Sequence, residues 1–136
     1  MARLILDTNT LIHLDRREEP LSFISESDDV AIASLTLAEL RHGVLAADAA
    51  RRLAREQFVD DVEETIAVLP YTRSTSQEHA ALLDFVRRSG TPRGAHDLII
   101  AAHARQSGRV VATRDARARF GDLPGVTTIS AQPPAS

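Results

Sequence analysis

The chain has 136 residues, 43% of them hydrophobic, with 16 basic against 19 acidic side chains and a formal charge of −3. That suffices for one domain with a real core and hardly for two. All 16 basic residues are arginine, and cysteine and tryptophan are absent, so disulfides, thiolate nucleophiles, cysteine-ligated zinc, Schiff-base lysines and a Walker A loop are excluded.

The N-terminal stretch to Asp7 carries one arginine and three consecutive large apolar residues before the acid, too short for the core of a secretory signal. No apolar run approaches the roughly 20 residues that cross a bilayer. A soluble, cytoplasmic chain is expected.

Leu4-Ile5-Leu6 reads as a buried strand ending at Asp7, too brief for helical periodicity. Thr8 or Asn9 is expected to cap a helix carrying Leu11, Ile12 and Leu14, stopping before Pro20. A short helix near Leu21 to Ser25 follows, then a strand over Val30 to Ala33. Ser34 or Thr36 caps the next helix, through Leu37, Leu40 and Val44. The stretch from Asp48 to Glu64, with Leu53, Phe58 and Val62 among charges, fits an amphipathic helix.

Ile66 to Leu69, closed by Pro70, is a third strand, and Ser74 or Thr75 opens a helix ending at Ser89-Gly90. The loop Gly90 to Gly94 precedes a helix from Ala95 to Ser107 that Gly108 stops. Val110 to Ala112 and Val126 to Ile129 complete the strands, the latter at an edge, and Ala131 to Ser136 is a loose tail. Strands alternating with helices predict a parallel sheet covered by helices. Neither an internal repeat nor a linker interrupts residues 1–130, so one domain is expected there, with a tail over 131–136.

Charge is unevenly placed. From Arg87 to Arg119 there are eight arginines (87, 88, 93, 105, 109, 114, 117, 119) against Asp97 and Asp115, a local +6 in a chain whose remainder carries −9. Such a segment either attracts a polyanion or is a solvated helix face.

The acids carry the sharper signal. In an open parallel sheet ligands bind at the carboxyl ends of the strands. Asp7 ends the first strand and Asp115 follows the Val110 strand, while Glu39 and Asp97 fall near the starts of helices facing the same edge. Four carboxylates in one cleft repel one another unless they share protons or bind a hard divalent cation. With no cysteine and no histidine cluster, Mg²⁺ or Mn²⁺ is the expected metal, one or two ions able to activate water against a phosphodiester.

Each acid also has a plain structural reading. Asp97 favours a helix N-terminus, Glu39 can face solvent, and Asp115 can pair with Arg114, Arg117 or Arg119 at little gain. Asp7 is harder to dismiss, because an acid ending an apolar strand is half-buried without a partner. His13, His42, His79, His96 and His103 lack the spacing of a helical zinc motif. His96, although it adjoins Asp97, is assigned to packing or the surface.

Leu6-Asp7-Thr8-Asn9, Thr36-Leu37-Ala38-Glu39-Leu40-Arg41-His42-Gly43, Ala95-His96-Asp97-Leu98-Ile99-Ile100-Ala101-Ala102 and Val111-Ala112-Thr113-Arg114-Asp115 run in this order across nearly the whole chain. Together they resemble the PIN domain, and within it the VapC-type ribonuclease toxins of toxin–antitoxin pairs. The resemblance implies a three-layer α/β/α fold with a central, mostly parallel sheet of four to five strands. It also implies Asp7, Glu39, Asp97 and Asp115 as catalytic acids, with Asp7, Asp97 and Asp115 as metal ligands.

By the same resemblance, Asn9 steadies Asp7 by hydrogen bonding, and Thr113 holds metal-bound water or a phosphate oxygen. RNA cleavage with Mg²⁺ or Mn²⁺, homodimerisation and inhibition by a VapB-type antitoxin are further implied. One departure touches the last motif: many relatives place a Phe soon after the fourth acid, whereas here Ala116-Arg117-Ala118-Arg119 separate Asp115 from Phe120.

Two other readings compete. Asp7-Thr8-Asn9-Thr10 superficially resembles the D-x-D-x-T motif of haloacid-dehalogenase-like phosphatases, but Asn9 replaces the second Asp and no lysine exists to partner a phosphoaspartate. A non-catalytic RNA- or peptide-binding module would have no need of converging acids.

Overall fold

The computed structural model describes residues 2–16, 27–114 and 118–130. The short helix expected near Leu21 to Ser25, the acid Asp115 and the tail 131–136 lie outside the described residues.

Among the described residues five strands, β1 (Arg3–Leu6), β2 (Asp29–Ala33), β3 (Ala67–Leu69), β4 (Val110–Thr113) and β5 (Thr128–Ser130), form one sheet in the order β3-β2-β1-β4-β5. Every pairing is parallel, with Leu4 opposite both Val30 and Val110. The last strand begins two residues later than expected from its apolar run, because Val126 is spent in the core before pairing starts.

Among the described residues five α-helices cover the sheet: α1 (Thr8–Arg16), α2 (Ser34–Ala46), α3 (Ala49–Thr65), α4 (Arg73–Ser89) and α5 (Ala95–Ser107). Because successive strand residues face opposite sides, β1 feeds two cores. Ile5 and Val111 pack with Leu82, Leu98 and Ile100 under α4 and α5, while Leu6 and Ala112 pack with Leu11, Leu40, Val44 and Val59 under α1, α2 and α3. Full burial of each such aliphatic chain contributes about 1.5–3 kcal/mol. The result is a three-layer α/β/α fold. Among the described residues no helix is long and apolar enough to cross a membrane.

The starts of α1, α2 and α4 differ by one to three residues from those expected, for local reasons, whereas α5 spans Ala95–Ser107 as expected. Asp7, not Thr8 or Asn9, caps α1, its Oδ1 accepting from Thr10 N at 3.0 Å. Ala33 precedes α2 with no side-chain cap, leaving Ser34 and Thr36 inside the helix. Thr72 caps α4 through a reciprocal capping box with Thr75. Asp48 caps α3, and Gly108 ends α5 at φ 67°, a left-handed turn that suits glycine.

Arg109, at the start of β4, ties the amino edge of the sheet together. Its Nη1 donates to Leu4 O at 3.1 Å, Asp29 O at 2.9 Å and Asp29 Oδ1 at 3.1 Å. One buried guanidinium thereby links β4 to β1 and β2, at the end of the strands opposite Asp7.

Candidate active site

The chain runs outward from β1 in both directions, through β2 and β3 on one side and β4 and β5 on the other. The crevice at the carboxyl ends of β1 and β4 is therefore the place where such sheets bind ligands. Asp7 emerges there, 4% exposed.

Both Asp7 oxygens are held by threonine. Oδ1 accepts from Thr10 N and, at 2.5 Å, from Thr10 Oγ1; Oδ2 accepts a short hydrogen bond from Thr113 Oγ1 at the end of β4. Thr10 in turn accepts from Arg114 N at 3.2 Å. Asp7 is thus at once a helix cap and a fixed carboxylate, with one lone-pair site left, on Oδ2.

Asn9, expected to steady Asp7, makes no hydrogen bond to it and instead lines the cleft, exposed. The backbone turn into α1 places residue 10, three along from the acid, over the carboxylate, and turns residue 9 outward. The steadying hydroxyl is Thr10, not Asn9, and its one signal in the sequence is an Asp-x-x-Thr spacing that gains meaning only with the turn from β1 into α1.

Glu39, in the second turn of α2, is gripped from two other helices. Thr8 Oγ1 donates to Oε1 at 2.8 Å, and His96 Nδ1 lies 3.0 Å from Oε2. His96 therefore belongs to the site, although its ring is largely exposed. Asp97 stands in the first turn of α5, its carboxylate folded back against the helix entrance. A Cβ on Gly94 would come within 3.1 Å of Asp97 Oδ2, so glycine there gives the carboxylate room.

Asp7, Glu39 and Asp97 line one cleft of about 380 Å³ with Asn9, His42 and His96. Its volume is that of a small-ligand site. Among the described residues no three His, Asp or Glu side chains close around a single point, because Glu39 is drawn toward Thr8 and His96 while Asp97 leans on Gly94. The donor set still suits a hard divalent cation. The facing groups are carboxylates, and Mg²⁺ commonly takes one or two of them and keeps several waters. Asp115 adds nothing to this geometry, since it lies outside the described residues.

The PIN domain family model matches residues 4–124. A curated relative, the tRNA(fMet)-specific endonuclease VapC of Salmonella typhimurium, is 33% identical over 93% of this chain and 96% of its own. Among solved structures, DNA-bound VapBC from Salmonella typhimurium superimposes with a TM-score of 0.85 at 28% identity, covering 97% of this chain and 100% of that one. VapBC-5 from Mycobacterium tuberculosis gives 0.80 at 30% identity, covering 96% and 99%. With its acids at the carboxyl edge of a β3-β2-β1-β4-β5 sheet, the chain belongs to the PIN-domain family, among the VapC-type ribonuclease toxins.

Proposed function

We propose that the chain is an endoribonuclease toxin that hydrolyses RNA phosphodiester bonds with Mg²⁺ or Mn²⁺ and is neutralised by a VapB-type antitoxin. The observation that carries this reading is the convergence of Asp7, Glu39 and Asp97, from three separate elements, on one cleft. Asp7 and Asp97 would hold the ion, with Asp115 as the further ligand and Glu39 as the remaining catalytic acid. When bound, a hard divalent cation lowers the pKa of the attacking water and neutralises charge developing on the phosphate.

The chain's own residues do the rest. Thr10 and Thr113 fix the Asp7 carboxylate so that it need not reorganise when charge arrives. Thr8 and His96 fix Glu39. Thr113 would also face water or a phosphate oxygen. A single domain over 1–130, a loose tail over 131–136, a homodimer and a cytoplasmic site of action complete the proposal. The antitoxin partner is supported by neighbours that were solved as VapBC complexes.

The test is cleavage of a panel of transfer and ribosomal RNAs, initiator tRNA included, by toxin freed of antitoxin, with Mg²⁺, Mn²⁺ or chelator. Metal-dependent cuts that vanish in Asp7→Asn and Asp97→Asn are expected. RNA affinity without turnover under every metal condition would favour the binding-module reading, and phosphate release from small phosphoesters the phosphatase reading.

A further inference from the structure

The arginines that dominate the segment 87–119 are largely consumed within the fold. Arg87 and Arg88 share Asp84, whose carboxyl they hold below its ordinary value, foremost through the Arg87 hydrogen bond. Arg93 donates to Ala118 O and Arg119 O, Arg105 pairs with Glu78 at 2.8 Å, Arg109 is locked on Asp29, and Arg119 faces Asp122. Among the described residues of a segment that is +6 in sequence, these six arginines each therefore already have a partner.

Among the described residues, the arginine side chains that make neither a hydrogen bond nor an ion pair are Arg51, Arg55 and Arg73. Arg73 lines neither the cleft nor its surroundings. Arg55, on α3, lines a groove with Ile12, Glu39, Leu40, Gly43 and Phe58. Ile12 and Glu39 also line the acidic cleft, so groove and cleft run into one another. Arg51 stands one turn earlier on the same stripe of α3.

Gly43 gives an independent pointer. It lies in the interior of α2, where glycine is less favourable than alanine. Nothing among the described residues requires it: its φ is not positive, and a Cβ built there would meet none of their atoms within 4 Å. A bare helix surface beside an unpartnered cation, opening onto the catalytic acids, suits a ligand from outside that approaches the backbone closely and carries negative charge.

Resting on the reading that the substrate is RNA, we propose that this groove seats the single strand next to the scissile phosphate. Arg55 pairs with a backbone phosphate, and a base or ribose lies over Gly43 against Leu40 and Phe58. The cation offsets the repulsion that the acids exert on a polyanion, which the consumed arginines of segment 87–119 do not.

The test is fluorescence anisotropy of a labelled single-stranded RNA probe on the full-length, antitoxin-free chain in chelator, so that no turnover intervenes. Arg55→Gln is expected to weaken binding roughly tenfold and to flatten the dependence of log affinity on log salt by about 0.7. Arg55→Lys should restore the salt slope. Gly43→Leu should weaken binding while the thermal midpoint stays at or above that of the parent, because a helix-interior glycine is replaced by a better helix former.

Unchanged RNA affinity in Arg55→Gln and Gly43→Leu overturns the proposal, and a loss confined to binding of a co-expressed antitoxin reassigns the groove to a peptide and overturns it equally. Cleavage of the RNA panel with Mn²⁺ separates the two readings. A parent that binds through Arg55 but never cuts keeps the groove and loses the nuclease, whereas variants that bind and cut like the parent lose the groove alone.

Discussion

His96 Nδ1 lies 3.0 Å from Glu39 Oε2, so the first turn of α5 is tied to α2 across the mouth of the cleft. Both side chains reach solvent, and an exposed pair of this kind adds little stability. Its consequence is orientation. With Thr8 Oγ1 on the other oxygen, Glu39 is left little freedom to swing.

His96→Ala and Thr8→Val are therefore expected to leave the thermal midpoint almost unmoved, within about 0.5 kcal/mol of stability. Each should reduce the rate of RNA cleavage by about 10–100-fold, the usual cost of losing a group that orients a catalytic ligand. Thr8→Ser, which keeps the hydroxyl, should recover most of it. Melting curves paired with single-turnover cleavage check this; a large loss of stability with unchanged cleavage would contradict it.

Around Asp7 the balance is reversed, because the groups are buried. Thr10→Val removes a donor to Asp7 and leaves Arg114 N without its acceptor, at about 1–3 kcal/mol. Thr10→Ser should cost less than about 1 kcal/mol. Asp7→Asn should fold, since the amide oxygen still caps α1, yet cut RNA about a hundredfold more slowly or worse. Denaturant titration and cleavage on the same preparations separate the two effects.

How far this site was legible follows from what each residue interacts with. The alternation of apolar runs and helical stretches made the α/β fold readable, and Asp7 stood out because an acid closing an apolar strand requires a partner. That partner, Thr10, depends on the angle at which β1 turns into α1, which spacing suggests only once the turn is known. His96 looked like a surface residue by itself, and its use depends on Glu39, 57 positions earlier in the sequence. The basic segment, left open between a polyanion site and a solvated face, was the least legible. Local charge counts the arginines but not Asp29, Glu78, Asp84 and Asp122, which lie outside the densest run or across the fold and occupy them.

Arg109 supplies the clearest structural contrast. Its side chain is 6% exposed and serves three acceptors on β1 and β2, whereas Asp29 is 41% exposed. Arg109→Met should cost about 2–4 kcal/mol, since it leaves Leu4 O and Asp29 O without that donor in a largely buried place. Asp29→Asn should cost less, because both carbonyls still accept from Arg109 and solvent screens the lost charge. Equal effects in urea titration would show that the ion pair, not the carbonyl clamp, carries the stabilisation.

His103 makes stability depend on pH from the face of the sheet opposite α1. It lies on α5, is 0% exposed, and neither ring nitrogen has a hydrogen-bond partner. Its neighbours include the Tyr71 ring, edge-on at 6.1 Å, and His79, itself bonded to the Tyr71 hydroxyl at 2.8 Å. Burial, and secondarily the charge of His79, depress its pKa below the ordinary 6.5. The unfolded chain therefore binds the proton first. The folded state keeps its full advantage above about pH 6.5 and loses it as pH falls, at up to about 1.4 kcal/mol per unit, until the folded ring titrates. His103→Leu removes both unsatisfied nitrogens and the titration, so its stability should be flatter between about pH 6.5 and 5 and no lower than the parent's at neutral pH. Urea midpoints at several pH values decide it: parallel curves for parent and His103→Leu would place the acid sensitivity elsewhere in the chain.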